Sequence, residues 1–403
     1  MIKTKYREIV TALPHKNTQK LISNILKYDA TDVRHQLPII WDSANGSEVY
    51  DVFGNKYIDF SSTIFVASAG HGGSNGSDLS IALMSQIQSL IHSYTFPTLI
   101  KDQFLGEFKK FLPSFCEKIY LASAGSEVTS WALKLMRMYG NKKLIVHIDG
   151  AFHGKTGQVD KLYEEEIKIS FPIQSGQWYE DFRLLERHKD QIAGLMIESY
   201  QGWSGQFMDK DYVRNLVLWA QSNDIPVCFD EIQGGFYRTG KKFAYEHYQI
   251  KPDLICMGKG LGGGFPISAL AGRKKYFKAD DMSSTHSGTP LGCAAALAAL
   301  KIYNKLDKKE LDKKGKFLEA SLWSLQKLGW IEAYNSHGLL AAVILRDKDQ
   351  ADNVCYECMK NGLIVVRTGK KSIKIGPPLV IPMKALDEGL NVLTEAIAKL
   401  KVD

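Results

Sequence analysis

The sequence predicts an α/β protein, with a large domain on a mostly parallel sheet flanked by helices and a smaller carboxyl-terminal α/β domain. Three observations carry this. Short apolar runs at 193–200, 226–230 and 252–259 are bounded by Gly, Asp and Pro, the pattern of strands buried on both faces. Residues 119–140 read as a strand, a turn of small residues and then a helix. From about Leu306 the composition shifts to lysine-rich helix and then to further short strands.

In chain order, residues 1–45 hold an amphipathic patch at 21–26 and an apolar stretch at 37–41, neither with chemistry of its own. Residues 49–60 read as a hairpin, because Phe53-Gly54-Asn55-Lys56 supplies turn residues between two alternating strands. The segment 61–73 includes Ile64 and Phe65, which read as core packing when taken alone. In the helix after the 119 strand, Val128, Ala132, Leu135, Met136 and Tyr139 share one face, and Gly140-Asn141 supplies a stop. A helix start offers unpaired N–H groups and the positive dipole end, so Gly125 and Ser126 could cradle a phosphate; such a turn is equally often a plain cap.

A strand at 144–149 leads into a loop, 150–157, that holds Phe152 and His153. The run at 193–200 contains Glu198 and is followed by Gln201 and Trp203. Asp230 ends one apolar run and Lys259 ends the next, with glycines crowding in directly after it. Parallel sheets place ligands at the carboxyl ends of their strands, so both charges should meet at one edge. A lysine there is desolvated, its pKa falls, and it suits a Schiff base with an aldehyde; alone, Lys259 reads as the exposed end of a strand. The closing region reads as strands 339–345, 363–366 and 372–375 and a final helix 384–401. The expected division is 1–60 as an amino-terminal segment packing with the small domain, 61–305 as the large domain and 306–403 as the small one.

Composition narrows the function classes. With 45% apolar and 24% charged residues over 403 positions, the chain is an ordinary globular one. The net charge of +7 is spread without a dominant run, which argues against nucleic-acid binding. The six cysteines mostly lie in apolar runs, and Cys355-x-x-Cys358 has no second pair at zinc spacing, so a reducing compartment and no metal are expected. The first residues carry no hydrophobic signal segment and the longest apolar run, near 291–300, is too short to span a bilayer. A cytoplasmic enzyme with no membrane partner is expected.

Asp230-Glu-Ile-Gln233, then Arg238-Thr-Gly240, then Met257-Gly-Lys-Gly-Leu-Gly-Gly-Gly-Phe-Pro266, resembles the signature of class III aminotransferases of the ω-, ornithine- and GABA-aminotransferase kind. These bind pyridoxal 5'-phosphate (PLP) in the fold type I architecture. The resemblance implies that Lys259 carries the cofactor as an internal aldimine, that Asp230 binds its pyridine nitrogen and that Gln233 sits beside its phenolic oxygen. Ser123-Ala-Gly-Ser-Glu127 matches the family's phosphate turn, which assigns Gly125 and Ser126 to the phosphate. Phe152-His153-Gly154 matches a loop whose aromatic lies over the cofactor ring. Glu198 and Gln201 match the family's V-E-P-x-Q-G-E-G-G. Thr285, in Ser284-Thr-His-Ser-Gly-Thr-Pro290, matches a threonine that reaches the phosphate in the neighbouring subunit, implying a homodimer with shared active sites. Ile64 and Phe65 lie where relatives border the substrate pocket.

The departures concern specificity. Ser199 stands at the motif's proline and Trp203 at its second glutamate, while Lys374 stands at an arginine that grips the substrate carboxylate in relatives. Lysine binds a carboxylate as a point charge without the bidentate fork. The expected activity is therefore transfer of an amino group from an amine, amino sugar or amino acid donor to an oxo acid or other carbonyl acceptor. Two alternatives stand beside it: a PLP-dependent racemase, epimerase or aminomutase, and a non-catalytic PLP-binding protein.

Overall fold

The computed structural model describes residues 1–31, 36–72, 77–159, 162, 166–174, 178–279, 282–369 and 371–400. Gly73 and Lys401, the ends of the predicted 61–73 segment and final helix, lie outside them. The chain divides into two compact units, one of residues 1–77, 203–205 and 306–403, the other of residues 78–202 and 206–305.

In the first unit, strands β1 (Ile2–Lys3), β2 (Glu8–Ile9), β3 (Trp41–Gly46), β4 (Glu48–Asp51), β5 (Lys56–Asp59) and β6 (His71–Gly72) form one sheet. The predicted hairpin is β4–β5, closed by the Asp51 carboxylate, which accepts from the Phe53 and Asn55 amides at 2.9 Å each. Residues 62–65 all have positive φ, between 46° and 69°, and so wind a left-handed turn. That conformation costs L-residues roughly 1–2 kcal/mol each. Ser62 Oγ donates to the Gly376 carbonyl at 2.6 Å, and Phe65 packs so tightly on Gly376 that a Cβ there would lie 2.0 Å from its ring. Residues 61–72 fall in the first unit together with Gly376.

The second unit holds a seven-stranded sheet in the order β7-β13-β12-β11-β10-β8-β9. Its strands are β7 (Lys118–Ala122), β8 (Leu144–Ile148), β9 (Ile167–Ile169), β10 (Ile192–Glu198), β11 (Val227–Asp230), β12 (Leu254–Met257) and β13 (Ser268–Gly272). All neighbours are parallel except β13, which runs antiparallel to both β12 and β7. Hence β7, β8, β10, β11 and β12 share one direction and end at one edge. The helix Gly125–Gly140 buries Val128, Ala132, Leu133, Leu135 and Met136 in the core and stops at Asn141, whose φ of 49° is the left-handed cap the sequence offered.

Back in the first unit, β14 (Ala333–His337), β15 (Leu340–Ile344), β17 (Val366–Thr368) and β18 (Ser372–Ile375) form a small antiparallel sheet, while β16 (Leu363–Ile364) pairs in parallel with β5. The last helix, Met383–Lys399, buries Leu386, Leu390, Leu393 and Ile397.

Candidate active site

The shared edge of the second unit's sheet carries a cavity of about 180 Å³ lined by Gly125, Ser126, Phe152, His153, Gly154, Glu198, Asp230, Ile232, Gln233 and Lys259. Each lining group arrives from the end of a strand. β10 ends on Glu198, β11 on Asp230, and β12 reaches Lys259 two residues past Met257; β7 and β8 lead into the 125 helix and the 152–154 loop.

The site is held by specific bonds. Asp230 is 5% exposed; one carboxylate oxygen accepts from the Ile232 amide at 3.0 Å and the other from His153 Nδ1 at 2.9 Å. Glu198 accepts from the amides of Gly202 and Phe152, each at 3.1 Å. Gln233 accepts from the Tyr200 hydroxyl at 3.3 Å. The 152–154 loop is tied to the helix by Thr129, whose Oγ1 donates to the His153 carbonyl at 2.8 Å. Gly154 makes that approach possible, since its φ is +129° and an added Cβ would fall 2.3 Å from Ser126 Oγ.

Lys259 takes a φ of 37°, a left-handed setting for a non-glycine residue, flanked by Gly258 and Gly260. Burial pushes its ammonium pKa below the ordinary lysine value, while the carboxylates of Asp230 and Glu198 oppose that shift. A deprotonated amine is thus made more accessible beside two acids. The donor set as a whole comprises an amine of lowered pKa, an anchored carboxylate, a helix start for a dianion and the 46%-exposed ring of Phe152 at the cavity. That set fits an aromatic aldehyde bearing a basic ring nitrogen and a phosphate.

Residues 29–397 match the family described as Aminotransferase class-III. The chain is a class III aminotransferase. It is 31% identical over 389 residues to the acetylornithine aminotransferase of Caldanaerobacter subterraneus subsp. tengcongensis, covering 92% of this chain and 97% of that one. It is 30% identical to the [LysW]-aminoadipate semialdehyde/glutamate semialdehyde transaminase of Sulfolobus acidocaldarius, covering 88% and 93%. Among solved structures, the acetylornithine aminotransferase from Elizabethkingia anophelis superposes with a TM-score of 0.84 at 25% identity, over 96% of this chain and all of that one. The fold is fold type I, the cofactor is PLP, and the activity is PLP-dependent transamination, the first of the three readings above.

The remaining residues singled out from the sequence sit elsewhere. Gln201 lies beside the site, where its amide donates to the Asp149 carbonyl at 3.0 Å. Thr285 is exposed and does not line the cavity; its carbonyl accepts from His92 Nε2 at 2.8 Å. Ile64, Phe65, Trp203 and Lys374 belong to the first unit. There the Lys374 ammonium lies 5.3 Å from the centroid of the Phe65 ring, and Ser372, on the same face of β18, donates to the Trp203 carbonyl at 3.3 Å. Sequence reasoning missed Ile232 and Gly154 as lining residues; the positive φ of Gly154 is visible only in the backbone.

No helix among the described residues is long and apolar enough to cross a membrane. All six cysteines are free and buried, with Cys355 and Cys358 inside the helix Lys348–Lys360.

Proposed function

We propose that Lys259 is the amine that carries the cofactor and moves the proton, with Asp230 at the ring nitrogen, Gly125 and Ser126 at the phosphate, and Phe152 over the ring. The observation that supports this is the convergence of Lys259, Asp230 and the helix start on one cavity. PLP supplies an electron sink for the negative charge that develops on the carbon bearing the amino group. Asp230, anchored by the Ile232 amide and His153, holds a proton at the ring nitrogen. When PLP is bound, Phe152 would pack against its ring, and His153, Glu198 and Gln233 would complete the wall of the cavity. Lys259 withdraws a proton from the substrate carbon and returns one during each half of the transfer.

The donor is an amine, an amino sugar or an apolar amino acid, and the acceptor an oxo acid or other carbonyl compound. Trp203 and Lys374 support this, since neither can reproduce the Arg/Glu pairing of the resembled motif. A second reading has the support of the relatives: the names of the acetylornithine enzymes point to the ω-amine of an acylated diamino acid. The deciding experiment follows the cofactor absorbance of the purified enzyme against amines, diamines, amino sugars, apolar amino acids and N-acetylornithine, with and without an oxo acid. A preference in kcat/KM for N-acetylornithine, glutamate or ornithine by a wide margin overturns the first reading.

The same proposal includes a homodimer with shared sites, working in the cytoplasm, with no nucleic acid or membrane as partner. The dimer is supported by an exposed apolar stretch of the second unit: Ile81, Met84 and Ile87 on the helix Asp78–Ser89, followed by Ile91, Tyr94, Phe96 and Leu99. Seven such side chains at roughly 100 Å² each approach the ~800 Å² per partner of a standard interface. His92, within that stretch, holds the Thr285 segment that the resemblance directs toward a partner's phosphate. Sedimentation of the holoenzyme as a monomer at micromolar concentration would refute the shared site.

A further inference from the structure

On β10 and β11, Glu198 and Asp230 are register partners, and both line the cavity. The next residues on each chain, Ser199 and Glu231, therefore turn to the opposite face, where both are fully buried. There the Ser199 hydroxyl donates to the Glu231 carboxylate. The same carboxylate accepts from the Ala244 amide at 2.7 Å and the Tyr245 amide at 2.8 Å.

The backbone of this node continues the ladder past the strand ends. The Ser199 amide donates to the Asp230 carbonyl at 3.4 Å and the Glu231 amide to the Cys256 carbonyl at 2.8 Å. The Ser199 carbonyl accepts from the Tyr248 hydroxyl at 2.8 Å. A proline, which the resembled motif has at this position, could offer neither the amide nor the hydroxyl and would restrain the chain through its ring instead. This chain restrains the same point with polar bonds.

We propose that Ser199 is a positioning residue: bonded to Glu231, it fixes the ends of β10, β11 and β12 against one another and so sets the Glu198 and Asp230 carboxylates relative to Lys259. The inference rests on the roles proposed above for Asp230 and Lys259. Removing the hydroxyl takes one of three side-chain and backbone donors from the fully buried Glu231 carboxyl group, which then shifts to satisfy itself and carries Asp230 with it.

The test compares Ser199→Ala and Ser199→Thr holoenzymes. Three quantities are read: the pH midpoint of the cofactor absorbance change, the rate of cofactor loss on dilution, and the Tm of the cofactor-free protein. Ser199→Ala is expected to move the midpoint by about half a pH unit or more and to release cofactor several-fold faster, while Ser199→Thr restores both. A fall in Tm with unchanged midpoint and release would overturn the proposal, as would equal behaviour of the Ala and Thr variants. If Ser199→Ala does not fold, Ser199→Cys, which keeps the volume with a weak donor, is read by the same criteria. Lys259→Ala separates the two claims: if it keeps a lysine-linked absorbance, the site assignment fails, whereas its loss alongside a silent Ser199→Ala defeats this inference alone.

Discussion

Glu198 and Asp230 face one another across β10 and β11 as register partners, so two carboxylates that end neighbouring parallel strands open into the cavity that also holds Lys259. The pairing explains why Lys259 is poised between opposing influences: burial favours its neutral form and the two acids its charged form.

Removing the amine tests its role most directly. Lys259→Ala should lose steady-state turnover by on the order of 10³-fold or more, with cofactor still bound but removable by dialysis. Activity near that of the unaltered enzyme would refute the assignment.

In the cofactor-free enzyme, reaction of Lys259 with PLP should rise with pH through a midpoint below the ordinary lysine value of 10.5, because burial depresses its pKa. Asp230→Asn removes a charge that raises that pKa, so the midpoint should fall further. A stopped-flow pH series on both proteins checks the sign.

Gly154→Ala asks for a side chain at φ +129° and 2.3 Å from Ser126 Oγ. The strained backbone alone costs about 1–3 kcal/mol, and the displaced loop should weaken cofactor binding. Denaturant unfolding and cofactor titration measure the two effects.

Glu231 gives a pH signature to stability. Burial, reinforced by Asp230 nearby, lifts its carboxyl to about 8, against the opposing bonds from Ser199 and the amides of Ala244 and Tyr245. A folded pKa above the unfolded one means stability that is complete below about 4.5 and is lost as pH rises through about 8. Between those limits, the Tm of Glu231→Gln should fall less steeply with pH than that of the unaltered protein. Parallel slopes would contradict this.

Much of the site was legible in the sequence because its residues stand at strand ends, where composition changes abruptly. Asp230 closes an apolar run and Lys259 opens a glycine cluster, and a parallel sheet necessarily brings such points to one edge. The antiparallel β13 was not legible, since Ser268–Gly272 is as short and apolar as the parallel strands β11 and β12, and composition alone does not set a strand's direction. Nor was the left-handed turn at 62–65: Thr63 and Ile64 are β-branched, the residues least expected there, and contacts as distant as Gly376 hold it. Glu231 was hidden for a simpler reason, as its neighbour Asp230 absorbed the chemical meaning of the motif.

The order of strands β7-β13-β12 has a consequence for biosynthesis. Strand β7 is made early, yet its one sheet partner among the described residues, β13, is made after every other strand of that sheet. Until residues 268–272 leave the ribosome, β7 waits with an unpaired edge, and the helix start that follows it has no fixed seat. Pairing across so long a span is slow, and an open apolar edge invites association with other chains. A nascent chain stalled before β13 should therefore be prone to aggregation and unable to capture cofactor, so that the yellow colour of the holoenzyme marks completed assembly of the sheet.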